Sequence, residues 1–162
     1  MTNSTKPRAT QPERAAQKDK LRLWLRLLRT TRHVEAEVRE RLRLQFGTTL
    51  PRFDVMSALA RSGTGLTMGM LSRELLVSNG NVTGIIERLV ADGQVLRVTT
   101  AKDRRTTLVR LTPQGAQQFE EMAVVHEAWI AEILGDIAPA DVAVIMPLLA
   151  KVSAIAKSEP ES

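Results

Sequence analysis

Residues 66–115 predict a mainly α-helical chain with a small β-hairpin, ordered as a winged helix-turn-helix, and three observations carry the prediction. Thr67 and Ser78 stand where the N-caps of two successive short helices belong, their hydroxyls able to accept from free first-turn amides. Gly93 follows the second helix at a place suited to a left-handed terminating residue. Residues 95–100 and 106–111 are β-branched runs, joined by the charged stretch Ala101, Lys102, Asp103, Arg104 and Arg105, which reads as a hairpin with a basic tip.

The chain has 162 residues, 43% of them hydrophobic and 25% charged, which suits one domain of ordinary size. Aromatic content is only 3%, so Leu, Val, Ile, Ala and Met must build the interior. Cysteine is absent, which excludes disulfides and thiol-based redox or zinc sites, and 2 histidines make a transition-metal centre a poor expectation. No metal and no cofactor is therefore expected. Residues 1–113 hold 21 Lys or Arg against 10 Asp or Glu, whereas residues 114–162 hold 2 against 8. Such a split concentrates positive potential on one part of the fold, the footprint of a nucleic-acid binder.

In chain order, residues 1–17 form a polar, basic arm with hardly an apolar side chain, expected to be disordered. The arm lacks the apolar core of a secretory signal, and no apolar run reaches the ~18 residues of a membrane span, so a cytoplasmic protein is expected. Residues 18–50 carry one long helix to Phe46. Leu21, Leu25 and Leu28 make one stripe and Leu23, Leu27, Val34, Val38 and Leu42 a second, so one can face the lobe and the other a partner. Arg22, Arg26, Arg29 and His33 line another face. That stripe is either a solvated face paired with acids of another helix or an anion site.

Residues 51–113 form the winged lobe. Pro51 opens its first helix, whose buried face is expected at Phe53, Met56, Leu59 and Ala60. Arg52, near the N-terminus of that helix, suits either an anion or a local salt bridge with Asp54. In the helix after Ser78, Val82, Ile85, Ile86, Leu89 and Val90 are spaced to pack inward. Gly80, Gly84, Glu87 and Ala91 point the other way. A helical glycine costs about 1 kcal/mol relative to alanine, so two on one face imply close approach of a partner to the backbone, unless a surface helix simply tolerates them. Asn79, Asn81, Thr83 and Arg88 flank this bare strip with groups that meet base edges or phosphates in a major groove. In the hairpin, Arg97, Lys102, Arg104, Arg105 and Arg110 face one carboxylate, Asp103. A lone charge run of this kind is a solvated loop; after a reading helix it suits phosphates or a minor groove. Asp103 is read as structural, holding an arginine or capping the turn.

Residues 114–157 carry the last helices. Thr112 and Pro113 open one with Phe119, Met122, Val125, Trp129, Ile133 and Leu134, expected to pack on the first long helix. His126 and Glu127 start a zinc-type H-E-x-x-H pattern, but its second histidine position is Ile130. A final apolar helix is expected over 141–157, with Pro147 removing one backbone bond, before a tail at 158–162. The terminal helices carry more apolar surface than one small lobe can cover, which argues for an intertwined dimer.

The run DRRTTLVRLTPQG (103–115) after SNGNVTGIIERLVADGQVLR (78–97) resembles the MarR family of bacterial transcriptional regulators, whose wing reads D-x-R, a valine strand, then L-T-x-x-G. The similarity spans residues 21–152. It implies an α-helical homodimer with two winged lobes on double-stranded, pseudo-palindromic operator DNA. DNA contacts are then expected from Ser78, Asn79, Gly80, Asn81, Thr83, Gly84, Arg88, Arg97, Lys102, Arg104 and Arg105. Many family members have Ser or Thr where this chain has Ala138, which leaves the start of the final helix without a side-chain cap. Within the family, LPRFDVM (50–56), SNGNVTG (78–84) and HEAWI (126–130) look like the subgroup that regulates hydroxycinnamate catabolism and senses aryl-CoA thioesters. That resemblance implies an effector such as p-coumaroyl-CoA or feruloyl-CoA, with Arg22, Arg26, Arg29, His33 and Arg52 as its cations, and a repressor relieved by it. A different small aromatic ligand, or control of efflux, fits the same family pattern.

An enzyme is the rival class, and its signatures are missing: no G-x-S-x-G, no glycine-rich phosphate loop, no paired His/Cys cluster. A sequence-tolerant architectural DNA binder is the other rival, distinguished by tight binding that survives scrambled DNA at moderate salt.

Overall fold

The computed structural model describes residues 10–100 and 103–157. Helix α1 (Gln11–Phe46) starts within the stretch expected to be a disordered arm, ahead of Lys18. Its start is set by a local bond: the Glu13 carboxylate accepts the Thr10 backbone N–H at 2.7 Å, offsetting the polar composition of the first turns. Residues 1–9 of the expected arm and the tail at 158–162 lie outside the described residues. Gly47, in the left-handed region at φ 60°, ends α1 by returning its N–H to the Arg43 carbonyl.

Helix α2 (Leu50–Ser62) buries Phe53, Val55, Met56, Ala58 and Leu59. Ala60 is exposed, contrary to its expected place in the buried face, which extends the other way round the helix, through Val55 and Ala58. Helix α3 (Met68–Leu75) is capped as expected by Thr67, whose hydroxyl accepts from the Met70 N–H at 3.2 Å, and it buries Leu71. Helix α4 (Asn79–Ala91) buries Val82, Ile86 and Leu89 at the expected spacing. Val90 remains 40% exposed because α4 ends one residue later, beyond the cover of its neighbours; Ile85 is half-buried.

Strands β1 (Val95–Thr100) and β2 (Asp103–Leu111) pair antiparallel, Val95 opposite Leu111 and Thr99 opposite Thr107, with a register shift between Thr99 and Thr100. Asp103, Arg104 and Arg105 belong to β2 rather than to the tip, because Thr100 pairs with Asp103 and only residues 101–102 connect the strands. Leu66 exchanges two backbone hydrogen bonds with Val109, at 3.0 and 2.8 Å, so the segment entering α3 adds a third rung to the hairpin. The core of the lobe lies where Val38 and Leu42 of α1 meet α2, Leu71, the inner face of α4 and Leu66, Val95 and Val109. Phe53 and Phe119 touch at its edge, ring centroids 5.5 Å apart.

Helix α5 (Pro113–Ile133) starts at Thr112, whose hydroxyl accepts the Gly115 N–H at 2.9 Å. Helix α6 (Pro139–Lys157) begins ahead of the expected Asp141, the Ala138 carbonyl receiving the Asp141 and Val142 amides without a side-chain cap. Pro147 lies inside it. The chain divides into two compact units, residues 1–119 and 120–162. Among the described residues no helix is long and apolar enough to cross a membrane.

Candidate nucleic-acid interface

Helix α4 is presented by a turn that Ser72 organises. The Ser72 hydroxyl donates to the Val77 carbonyl, and its own carbonyl accepts the Val77 N–H at 3.1 Å. Between them Leu76 is forced to φ 54°, an unusual conformation for a side chain of this kind, and its side chain is 91% exposed. Ser78 then leaves in an extended conformation and caps α4 through the Asn81 N–H at 3.4 Å.

On the outward side of α4, Ser78, Asn79, Gly80, Asn81 and Arg88 are exposed, while Thr83 and Gly84 are half-buried. A Cβ added at Gly80 or Gly84 would meet nothing within 4 Å, so no internal packing asks for glycine at either place. Thr83 donates its hydroxyl to the Asn79 carbonyl at 2.9 Å. Its proton is thereby engaged within the helix, and only a lone pair and the methyl remain for a partner. In the hairpin Arg97 is exposed on β1, whereas Lys102 lies outside the described residues.

Beside this face lies a cleft of about 700 Å³, lined on the α4 side by Gly80, Asn81, Gly84, Ile85 and Arg88. Arg39 and Arg43 of α1, with Pro51 and Arg52 of α2, also line it. Sequence reasoning missed Arg39 and Arg43, because nothing in helical spacing says that the end of α1 comes back to α4. Arg43 is tied to Glu40 at 2.6 Å. Arg52 does not pair with Asp54, as its sequence position suggested, but with Asp92 at the end of α4 and with Gln94 Oε1 at 2.8 Å. Gln94 Nε2 in turn donates to Gln118 Oε1 at 2.8 Å. Arg52 is thus taken up in a bridge from α2 through the α4–β1 junction to α5.

The expected effector cations are not gathered into one place. Arg22, Arg26, Arg29 and His33 do share one exposed face of α1, around a shallow depression of about 430 Å³. Arg22 is held there by Asp19 at 2.9 Å. Arg52 lines the α4 cleft and is no part of that depression. Asp54, half-buried, has its pKa pushed up by desolvation and by Glu35 on α1, against a smaller opposing pull from Arg61. Among the described residues no group of three or more potential ligands could hold a metal ion.

Residues 46–106, the lobe with α2, α3, α4 and most of the hairpin, match the sequence profile of the MarR family. The MarR family transcriptional regulator of Silicibacter pomeroyi superposes with a TM-score of 0.73 at 32% identity, over 86% of this chain and 96% of that one. The chain belongs to the MarR family. It is a DNA-binding transcriptional regulator, and its relatives are regulators rather than enzymes. The transcriptional activatory protein BadR of Rhodopseudomonas palustris is 37% identical over 75% of this chain and 66% of BadR, so about a third of BadR lies outside the match. A mutant MarR from E. coli, solved in complex with operator DNA, has a TM-score of 0.71 and 27% identity over 83% of this chain and 95% of that one.

Proposed function

We infer that this MarR-family regulator works as a homodimer on a pseudo-palindromic operator, as a repressor of hydroxycinnamate catabolism released by an aryl-CoA thioester such as p-coumaroyl-CoA or feruloyl-CoA. The observation that carries the DNA reading is the strip of α4 at Gly80 and Gly84, which is open to 4 Å and flanked by Asn79, Asn81 and Arg88. A backbone so bare can approach base edges closely, while amide and guanidinium groups on either side supply hydrogen bonds to bases and phosphates. Arg97, Lys102, Arg104 and Arg105 of the hairpin extend the grip to a flanking phosphate or minor groove.

Homodimerisation is supported by apolar side chains left in water. Leu21, Leu23, Trp24 and Leu25 are exposed on α1, and Val144, Met146, Leu148 and Val152 are exposed on α6. Surface of that kind marks an interface, and two lobes on a two-fold axis put their reading helices ~34 Å apart, one turn of DNA. For the effector, Arg26, Arg29 and His33, with Arg22, offer cations to CoA phosphates beside the apolar Leu23 and Leu25. A ligand shifts the DNA-bound equilibrium only by binding one state better than the other, so these residues must hold the thioester more tightly in the released state.

The test is a reporter driven by the protein's own operator, with and without the gene: expression that rises on deletion supports repression. BadR, 37% identical, is named a transcriptional activatory protein, which favours activation as the second reading. Expression that falls on deletion selects it.

A further inference from the structure

We propose that Arg39, on α1 outside the winged lobe, is a phosphate contact of the DNA complex, working with Arg88 of α4 across the cleft that both line. The proposal rests on the reading of α4 as the helix that enters the groove. Four arginines line the cleft, and the acids beside them divide these into two kinds. Arg43 is neutralised by Glu40 at 2.6 Å, and Arg52 by Asp92 together with Gln94. Arg39 and Arg88 have no acid within ion-pair distance among the described residues, and both are exposed. The two uncommitted cations therefore line one cleft from different helices, α1 and α4, and its α4 side includes Gly80, Asn81 and Gly84.

A helix seated in the major groove has a sugar–phosphate strand along each flank, so a trough adjoining its reading face is where one such strand runs. The remaining lining fits that occupant. Pro51, Val77 and Ile85 offer apolar contact to deoxyribose, while Thr48 and Thr49 stand at the end near α2. Thr49 makes no side-chain cap bond to α2, which leaves its hydroxyl available to a phosphate oxygen. Arg39 would then add affinity without sequence preference, since a phosphate is the same at every base pair, and Asn81 on the same wall as Arg88 would supply the preference.

The experiment measures affinity of the full chain across a salt series for two duplexes, an operator selected by the wild-type protein and a scrambled sequence of the same composition. Removing one phosphate-binding cation lowers the slope of log K against log salt by about 0.9. Arg39→Gln and Arg88→Gln should each show that reduction and weaken both duplexes by the same factor, whereas Arg61→Gln, held by Glu74 at 2.7 Å and no part of the cleft, should leave the slope alone. Unfolding curves that overlay the wild type exclude a folding defect, as expected for exposed side chains. A slope for Arg39→Gln equal to that of the wild type overturns the proposal, as does weakening confined to the operator. Capture of a small aromatic carboxylate that depends on Arg39 while the salt slope is unchanged also overturns it, by giving the trough a different occupant. Failure of the underlying reading looks different: the wild type would not distinguish operator from scrambled duplex, while the slope of Arg39→Gln would still be read on both.

Discussion

A Cβ built on Gly115 would lie 1.9 Å from the carbonyl oxygen of Gln94, so the first turn of α5 rests directly on the backbone at the start of β1. The same carbonyl accepts the Thr112 N–H at 3.0 Å, and the Thr112 hydroxyl donates to the Gly93 carbonyl at 2.7 Å while capping Gly115. This is the physical content of the L-T-x-x-G pattern: threonine ties the hairpin to the end of α4, and glycine lets α5 sit against it. Gly115→Ala should therefore destabilise the fold by about 3 kcal/mol, because backbone cannot step aside as a side chain can. Thermal unfolding checks it, and a melting temperature within a degree or so of the wild type would refute the close approach.

Gly84 makes the opposite case. With nothing within 4 Å of an added Cβ, Gly84→Ala should stabilise α4 by up to about 1 kcal/mol through helix propensity. Gly84→Leu should also stay folded yet lose operator binding, as its bulk enters the groove. A folded Gly84→Leu that protects its operator as the wild type does would show that this face does not read DNA.

Asp54 predicts a pH signature. Desolvation and Glu35 raise its folded pKa above the unfolded value, so the folded state holds the extra proton and stability is lost as pH rises through that window. Asp54→Asn removes the penalty. Its stability relative to the wild type should grow as pH climbs above the ordinary aspartate range and then level off towards neutrality. Denaturant unfolding from about pH 3 to about pH 7 spans the carboxylate range and measures this. A wild-type advantage at neutral pH would mean that Arg61 outweighs burial.

The effector reading predicts that p-coumaroyl-CoA or feruloyl-CoA binds far more tightly than the free acids, because only the thioester brings phosphates to Arg26 and Arg29. Calorimetry with the thioesters, the acids and CoA alone decides it. Equal or tighter binding of a free acid removes the thioester, and thioester binding untouched by Arg26→Ala and Arg29→Ala moves the phosphates elsewhere.

Local signals made much of this fold legible. Hydroxyl caps at Thr67 and Ser78, the left-handed Gly93 at φ 69° and the β-branched run of β1 all act within a few residues, where sequence spacing is a sufficient guide. Spacing fails where the partner is distant in sequence. Arg52 passes over Asp54 for Asp92, forty positions away, and Arg39 reaches the face of α4 only because the fold brings the end of α1 there. It fails too at helix ends, where Val90 keeps its period but loses its cover. The hairpin tip differs for a related reason: charge makes Asp103, Arg104 and Arg105 read as loop, whereas β2 extends through them, Asp103 pairing with Thr100 across the register shift. Charged residues are tolerated in a two-stranded ribbon, whose faces need not both be buried.

Selection from a pool of random duplex DNA tests the central claim, that α4 reads sequence from a two-fold dimer. The wild-type protein should enrich a pseudo-palindrome whose half-sites lie about 10 base pairs apart, centre to centre, and Gly84→Leu should enrich nothing. No enriched sequence with the wild type, or the same sequence recovered with Gly84→Leu, would contradict it.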